Sequence, residues 1–254
     1  MNILFVGDIV GKPGRKILGE KLNRIVQQNE IDFVIVNGEN SAHGKGITPR
    51  IYRYFMDLGV DCVTMGNHTF AKREIMEAYD QCDNLLIPAN IEPLDFGNYY
   101  KVYDVKERKI CVVNLYGVSF MNNVADEPFP YMDWVLNEVE ADYYFVDFHA
   151  ESTSEKIFFA RMYQNDVDAV VGTHTHVQTA DEQLIGHCAY ITDVGMTGPK
   201  DGVIGRDFEE LYTAFIKNEK THYTLAKGEA MLNAVIIEVD DESMRSKSIR
   251  RLAC

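Results

Sequence analysis

Ala169-Val170-Val171-Gly172-Thr173-His174-Thr175-His176 begins as a buried strand and ends in side chains that bind ligands. The same pattern recurs along the chain. Ile3-Leu4-Phe5-Val6-Gly7 closes on Asp8, Phe33–Asn37 on Gly38-Glu39-Asn40, Cys62–Met65 on Gly66-Asn67-His68, and Tyr143–Phe148 runs through Asp147 to His149. Strands that are apolar throughout are those buried on both faces, as in parallel sheets. Leu85–Pro88, Ile110–Leu115, Ala189–Thr192 and Leu232–Val239 read as further strands. Helical patterns fall between them, at residues 13–28, 48–58, 71–79, 132–139, 155–163 and 209–218. Pro13 and the pair Thr48-Pro49 mark two helix starts. This alternation predicts an α/β layered fold. Residues 90–98 and 121–131 read as loop excursions, and residues 238–254 as an exposed mixed-charge end. One domain over residues 1–254 is the economical organisation.

The composition is that of a globular chain: 254 residues, 46% hydrophobic and 25% charged, with a net charge of −14. The charge is unevenly distributed. Residues 1–109 carry 14 bases and 15 acids, and residues 200–254 carry 9 and 10. Residues 110–199 carry only Lys156 and Arg161 against 14 acids. A long nucleic acid or an anionic membrane needs a cationic face, so neither is expected as a partner. A small phosphate ester is not excluded. No apolar stretch reaches the ~20 residues of a membrane span, and the N-terminus has no signal-peptide pattern. Five scattered cysteines, Cys62, Cys82, Cys111, Cys188 and Cys254, read as reduced thiols of a cytoplasmic protein.

In α/β sheets, ligands bind at the carboxyl ends of the strands. The ends collected here offer two carboxylates, two amides and four histidines. That donor set suits iron, manganese or zinc, and the lack of cysteine argues against structural zinc. The donors outnumber the needs of one ion, which predicts a two-metal site with Glu39 as the bridging carboxylate. On an extended backbone His174 and His176 would face the same side. His43, His187 and His222 read as ordinary polar residues, although His43 lies in the loop Ala42-His43-Gly44-Lys45-Gly46 beside the site. Gly38 to Lys45 lacks the spacing of a P-loop, and Gly7 to Gly11 that of a dinucleotide fingerprint.

These motifs resemble those of the calcineurin-like metallophosphoesterases, and more closely their YmdB-like branch. The resemblance rests on Asn37-Gly38-Glu39-Asn40-Ser41-Ala42-His43-Gly44-Lys45-Gly46, Met65-Gly66-Asn67-His68-Thr69-Phe70, Asp147-Phe148-His149-Ala150-Glu151, and the run from Val171 to Pro199. Three positions depart from the broader superfamily. Val10 stands where a histidine is usual, Glu39 where an aspartate is usual, and Thr69 where an acid is usual. All three departures resemble the YmdB-like branch.

The resemblance implies a four-layer α-β-β-α sandwich with a dinuclear site at the strand ends. One metal would take Asp8, Glu39, Asn40 and His176, and the other Glu39, Asn67, His149 and His174. His68 would be catalytic. Iron is the first expectation, then manganese or zinc. The implied reaction is hydrolysis of small cyclic phosphodiesters, notably 2′,3′-cyclic nucleotides such as 2′,3′-cAMP. A hydroxide bridging two metals about 3.5–4 Å apart would attack phosphorus, and His68 would protonate the leaving oxygen. The alternatives are a phosphomonoesterase, a short-RNA nuclease on the same site, or a regulatory metal-binding protein acting through a partner. Self-association into a homo-oligomer is compatible with all of these.

Overall fold

The computed structural model describes residues 1–94 and 96–254. In chain order the strands are β1 (Asn2–Val6), β2 (Phe33–Asn37), β3 (Cys62–Thr64), β4 (Tyr100–Val105), β5 (Arg108–Tyr116), β6 (Tyr143–His149), β7 (Ala169–Thr173), β8 (Gln183–Ile185), β9 (Cys188–Ile191), β10 (Gly198–Pro199), β11 (Ala230–Met231), β12 (Asn233–Val239) and β13 (Ser246–Ala253). The helices are α1 (Gly11–Gln28), α2 (Pro49–Asp57), α3 (Arg73–Glu77), α4 (Phe129–Glu138), α5 (Thr153–Met162) and α6 (Phe208–Phe215).

Two mixed sheets result, which gives the α/β fold the alternation predicts. The first has the order β13-β12-β1-β2-β3, with β1, β2 and β3 parallel. The second has the order β4-β5-β6-β7-β9-β8, with β5, β6, β7 and β9 parallel. Alternation along each strand divides the core into three clusters. Ile3, Phe5 and Ile35 of the first sheet meet Val112, Phe145 and Val171 of the second. There the rings of Phe5 and Phe145 stack with centroids 5.6 Å apart. Leu4, Val6, Val34 and Val36 point the other way, onto Leu18 and Leu22 of α1 and Phe55 of α2. Val113, Val146 and Val170 likewise point onto Met132 of α4 and Phe159 of α5.

The structure differs from the sequence reading at several edges. Residues 85–88 form no strand, and only Leu85 bridges to Val63. The helix expected over 71–79 shrinks to α3, flanked by single 3-10 turns. β4 escapes the sequence reading because its hairpin turn is Lys106-Glu107. Both residues adopt positive φ, 49° and 65°, in a position usually filled by Asn or Gly. The mixed-charge tail is β13, paired antiparallel to β12. Its Lys247, Arg250 and Arg251 suit an edge strand, where charge blunts edge-to-edge pairing. The excursion over 90–98 includes residue 95, which lies outside the described residues.

The sheets meet over a buried polar seam at the carboxyl ends of their parallel strands. Asn37 Nδ2 donates to Asp147 Oδ2 at 3.0 Å, and the Met65 amide donates to Asn114 Oδ1 at 2.9 Å. Beside this seam, Lys156 of α5 is fully buried and its Nζ lies 2.9 Å from Asp193 Oδ2. Asp193 also accepts the amides of Thr175 and Gly195. One of the two bases in the acidic block is thus a structural group. Removing one partner of a buried pair leaves an uncompensated charge, so Lys156→Met is expected to lower unfolding free energy by about 3–5 kcal/mol. Urea titration followed by circular dichroism measures this, and an unchanged midpoint would show that the pair contributes nothing.

Candidate functional site

The sequence-selected residues converge at this carboxyl edge. Asp8 follows β1, Glu39 and Asn40 follow β2, and Asn67 and His68 follow β3. His149 ends β6, and His174 and His176 follow β7. Potential donor atoms of Glu39, His149 and His174 lie within 4.8 Å of one another, as do those of Asp8, Glu39 and His176. Glu39 belongs to both groups. Asn67 Oδ1 is 2.9 Å from His149 Nε2, and Asn40 Oδ1 is 3.1 Å from His176 Nε2.

One expectation is corrected. His174 and His176 do not share a face of an extended strand, because β7 stops at Thr173. The two residues adopt φ of 103° and 67°, so the backbone turns and delivers one histidine to each group. A non-glycine residue held in such a region costs about 1–3 kcal/mol and persists only where its surroundings enforce it.

Hydrogen bonding assigns each imidazole a tautomer. Thr173 Oγ1 donates its only proton to Asp147 Oδ1 at 2.7 Å, so it accepts from His149 Nδ1 at 2.9 Å. The His149 Nε2 lone pair then faces Asn67 Oδ1, Glu39 Oε2 at 3.3 Å and His174 Nδ1 at 3.1 Å. His174 Nε2 lies 3.1 Å from Glu151 Oε2, a carboxylate oxygen that favours the proton on Nε2 and the lone pair on Nδ1. His176 Nδ1 donates to the Ile204 carbonyl at 3.1 Å, and its Nε2 lone pair faces Asn40 Oδ1. The Asn40 amide is oriented by donation from Nδ2 to the Gly44 carbonyl at 3.1 Å. Asp8 Oδ1 is buried with no hydrogen-bond partner, while Oδ2 accepts the His174 amide at 3.3 Å.

The imidazole lone pairs and amide oxygens therefore face one another and the two carboxylates. Burial, reinforced by the nearby Asp193 carboxylate, pushes Asp8 up to about 7. Burial and the Asp8 charge raise Glu39 well above its ordinary value. Burial also holds His149 well below the ordinary histidine value and lowers His174 to about 4, and it lowers His176 too. Neutral imidazoles and buried carboxylates are the states that bind cations. The carboxylates are destabilised only while no cation is present. The residues therefore fit a metal cluster.

The site opens into a cavity of about 390 Å³ lined by His68, Asn122, His174, His176, Ile204 and Tyr223. The sequence reading does not select Lys45, Arg206 and Tyr223, which also line the cavity. Lys45 Nζ and Arg206 Cζ lie 5.9 and 5.1 Å from the Tyr223 ring centroid. Arg206 is tied to Glu210 at 2.8 Å, whereas Lys45 has no carboxylate within 4 Å among the described residues. Only the motif Gly44-Lys45-Gly46 gave a hint of these groups. Tyr223 and Arg206 come from a stretch with no strand end to mark them. Asp147 and Thr173 were passed over because they sit inside strands, where their role is to aim His149. His187 is a surface group bonded to Arg245. His222 is exposed, and His43 faces away from this cavity into another.

Residues 4–252 match the model of the YmdB-like protein family. The chain is 42% identical over 255 residues to a 2′,3′-cyclic-nucleotide 2′-phosphodiesterase of Bacillus subtilis (strain 168), covering 99% of this chain and 96% of that one. It is similar to the crystal structure of a novel phosphatase from Mycoplasma pneumoniae, with a TM-score of 0.95 and 33% identity, covering 100% and 93%. It is also similar to that of a hypothetical protein from Thermus thermophilus, with a TM-score of 0.93 and 35% identity, covering 100% and 99%. The chain belongs to the YmdB-like family.

Gly66 probes how tightly the cluster is built. A Cβ there would lie 2.3 Å from both Glu39 Oε2 and His149 Nε2. Gly66→Ala is expected to keep the far-UV circular dichroism and to lower phosphodiester hydrolysis by about 100-fold, the upper range for disturbing groups around a metal site. Wild-type turnover in that variant would show that Glu39 and His149 need not be held where they are.

Proposed function

We propose that this YmdB-like protein is a dinuclear metal-dependent phosphodiesterase that opens small cyclic phosphodiesters, foremost 2′,3′-cyclic nucleotides, on one four-layer α-β-β-α domain of the metallophosphoesterase type. It is a phosphoric ester hydrolase, as its relatives' names support. The observation that carries the finer reading is the convergence of imidazole lone pairs, amide oxygens and two buried carboxylates within 4.8 Å groups that share Glu39. Asp8, Glu39, Asn40 and His176 would hold one ion, and Glu39, Asn67, His149 and His174 the other. An all-oxygen-and-nitrogen set with two neutral amides suits iron, manganese or zinc, and the resemblance to the YmdB-like branch puts iron first. When bound, such ions supply an activated water at neutral pH and positive charge against the phosphoryl oxygens.

The chain's own residues do the rest. Opening a 2′,3′-cyclic phosphate at the 2′ position adds water to phosphorus, breaks the P–O2′ bond and delivers a proton to O2′. His68 is the group we assign to that oxygen. Its backbone amide donates to Glu39 Oε2 at 3.1 Å, which ties the turn carrying His68 to the shared carboxylate. Its ring lies 3.3 Å from Asn67 Nδ2. Burial, with Lys45, His174 and His176 nearby, lowers His68 to about 4, so the free imidazole is neutral at pH 7. A neutral imidazole still donates an N–H to the developing oxyanion. A phosphodiester anion seated beside it raises its proton affinity, so a larger share of His68 carries the proton that O2′ takes up as the P–O2′ bond breaks. Lys45, without a carboxylate partner among the described residues, can meet a phosphoryl oxygen. The cavity volume suits one nucleotide.

Four of the five thiols are buried and none is paired, which supports a reducing cytoplasmic setting. Among the described residues no helix is long and apolar enough to cross a membrane. The phosphatase description of the M. pneumoniae relative favours a monoester as the second reading.

Elemental analysis combined with rates on 2′,3′-cAMP, a linear diester and a monoester tests this assignment. His68→Ala is expected to retain two ions per chain and lose about 10²–10⁴-fold in turnover. Glu39→Ala is expected to lose both ions and activity. Normal turnover by His68→Ala would overturn its role, and undiminished hydrolysis by ion-free protein would overturn the metal reading.

A further inference from the structure

On the far side of the loop 40–46 from the catalytic cavity lies a second, larger groove of about 630 Å³. Its walls carry Lys12, Arg15 and Lys16 of α1, Arg50 of α2, and Lys72, against a single acid, Glu74. Lys12, Arg15 and Lys16 share one helix face through i, i+3 and i+4 spacing. Among the described residues no carboxylate lies within 4 Å of Lys12, Arg15, Arg50 or Lys72. Arg15 is fixed by donation from Nη1 to the Ser41 carbonyl.

Helix stability does not explain this clustering. α1 has no acid in its first turn and carries Lys12 there, and α2 carries Arg50 directly after Pro49. A cation at a helix N-terminus opposes the helix dipole, so both helix starts place charge where folding disfavours it. In a chain of net charge −14, five bases around one groove point to an anionic ligand.

The groove and the catalytic cavity are lined by alternate residues of the same two segments. Ala42 and His43 line the groove, whereas Asn40, Gly44 and Lys45 line the cavity. His43 and Lys45 are two residues apart, so their Cα atoms are at most ~7 Å apart by chain reach. On the neighbouring segment, a single 3-10 turn, Thr69–Ala71, separates His68 in the cavity from Lys72 in the groove. Gly46 packs against both ends of that turn, since a Cβ there would lie 2.9 Å from Lys72 Cγ and 3.3 Å from the His68 carbonyl oxygen.

We propose that the groove binds the backbone phosphates of a short RNA whose 3′-terminal 2′,3′-cyclic phosphate occupies the catalytic cavity. This rests on the phosphodiesterase reading and extends its substrate class from mononucleotides to oligonucleotide ends. The chain leaves the cavity on the 5′ side of the terminal ribose, crosses the loop 40–46, and meets Lys72, Arg50 and Lys12. The acidic body limits the contact to a few phosphates, because long-range repulsion acts on anything that extends beyond the groove.

The test compares kcat/KM on 2′,3′-cAMP with that on a trinucleotide and a pentanucleotide ending in a 2′,3′-cyclic phosphate. Each is measured across a salt series, in wild type and in Lys12→Ala/Arg50→Ala. The oligonucleotides are expected to be better substrates, with a log–log salt slope steeper by about 1.4, the signature of two single-strand phosphate contacts. The double variant is expected to lose both the length gain and the extra slope, and to turn over 2′,3′-cAMP within twofold of wild type. Equal rates and slopes on all substrates would overturn the groove while leaving the phosphodiesterase reading intact. If none is hydrolysed, that reading fails by itself. Fluorescence polarisation of a 5′-labelled, 3′-phosphorylated trinucleotide then judges the groove: weaker binding to the double variant supports it, and equal binding overturns it.

Discussion

Lone pairs turned toward a common centre, with their protons turned away, are the constraint on which the carboxyl edge depends. Each imidazole achieves this by giving its proton to a group outside the cluster. His149 uses Thr173 backed by Asp147, His176 uses the Ile204 carbonyl, and His174 turns Nε2 toward the Glu151 carboxylate 3.1 Å away. These outer bonds explain residues that touch no substrate. Asp147 is completely buried and pushed up to about 7 by that burial, yet Thr64, Thr173 and Asn37 hold it in place. Such a group is tolerated because it aims His149. The sheet-to-sheet apolar core below supplies the stability against which this polar layer, and the left-handed backbone at His174 and His176, can be held.

The elements that carry the site were readable in the sequence because each pairs two strong signals. A short run buried on both faces must be a central strand, and the first polar residue after it must emerge at a strand end. That logic selects Asp8, Glu39, Asn67, His149 and His174. It weakens where a strand is half exposed. β13, with Ser246-Lys247-Ser248 at its start and Arg250-Arg251 near its end, is held by pairing to β12 and not by its own apolar pattern. β4 was hidden by a turn whose residues do not announce positive φ. The turning backbone after β7 was equally unreadable, since Thr-His-Thr-His alternates as a strand would. Its departure from extended geometry is imposed by contacts distant in sequence, among them the His174 amide to Asp8 Oδ2 and the Thr175 amide to Asp193 Oδ2.

Charge counted along the chain is a different quantity from charge in space. Residues 1–109 are nearly neutral by count, yet Lys12, Arg15, Lys16, Arg50 and Lys72 come together around one groove with only Glu74 on its walls and Glu20 paired to Lys16, while most of the matching acids lie elsewhere. The acidic block behaves in the opposite way. It belongs to the second sheet and its helices, and one of its two bases, Lys156, is spent internally on Asp193. A balance near zero thus conceals a local cationic face, and a strongly negative segment contributes neutral imidazoles to the cluster.

The loop Asn40–Gly46 is where these features join. Asn40 must present Oδ1 to the cluster, so its Nδ2 is anchored on the Gly44 carbonyl, which requires the chain to fold back within four residues. His43, Gly44 and Gly46 take positive φ, of 58°, 84° and 75°, to make that reversal. The consequence is a narrow partition with opposite faces, Lys45 turned to the cavity and His43 to the groove. Gly44 has a second reason to be glycine, because a Cβ would meet the Tyr223 ring at 2.3 Å. A substitution that relaxed the reversal would move Asn40, Lys45 and the Tyr223 wall together. The glycines of this loop therefore act on the donor set and on the shape of the cavity by one mechanism. The resemblance to a phosphate-binding loop is then coincidental in spacing, although the loop still delivers a lysine to a phosphate-sized opening.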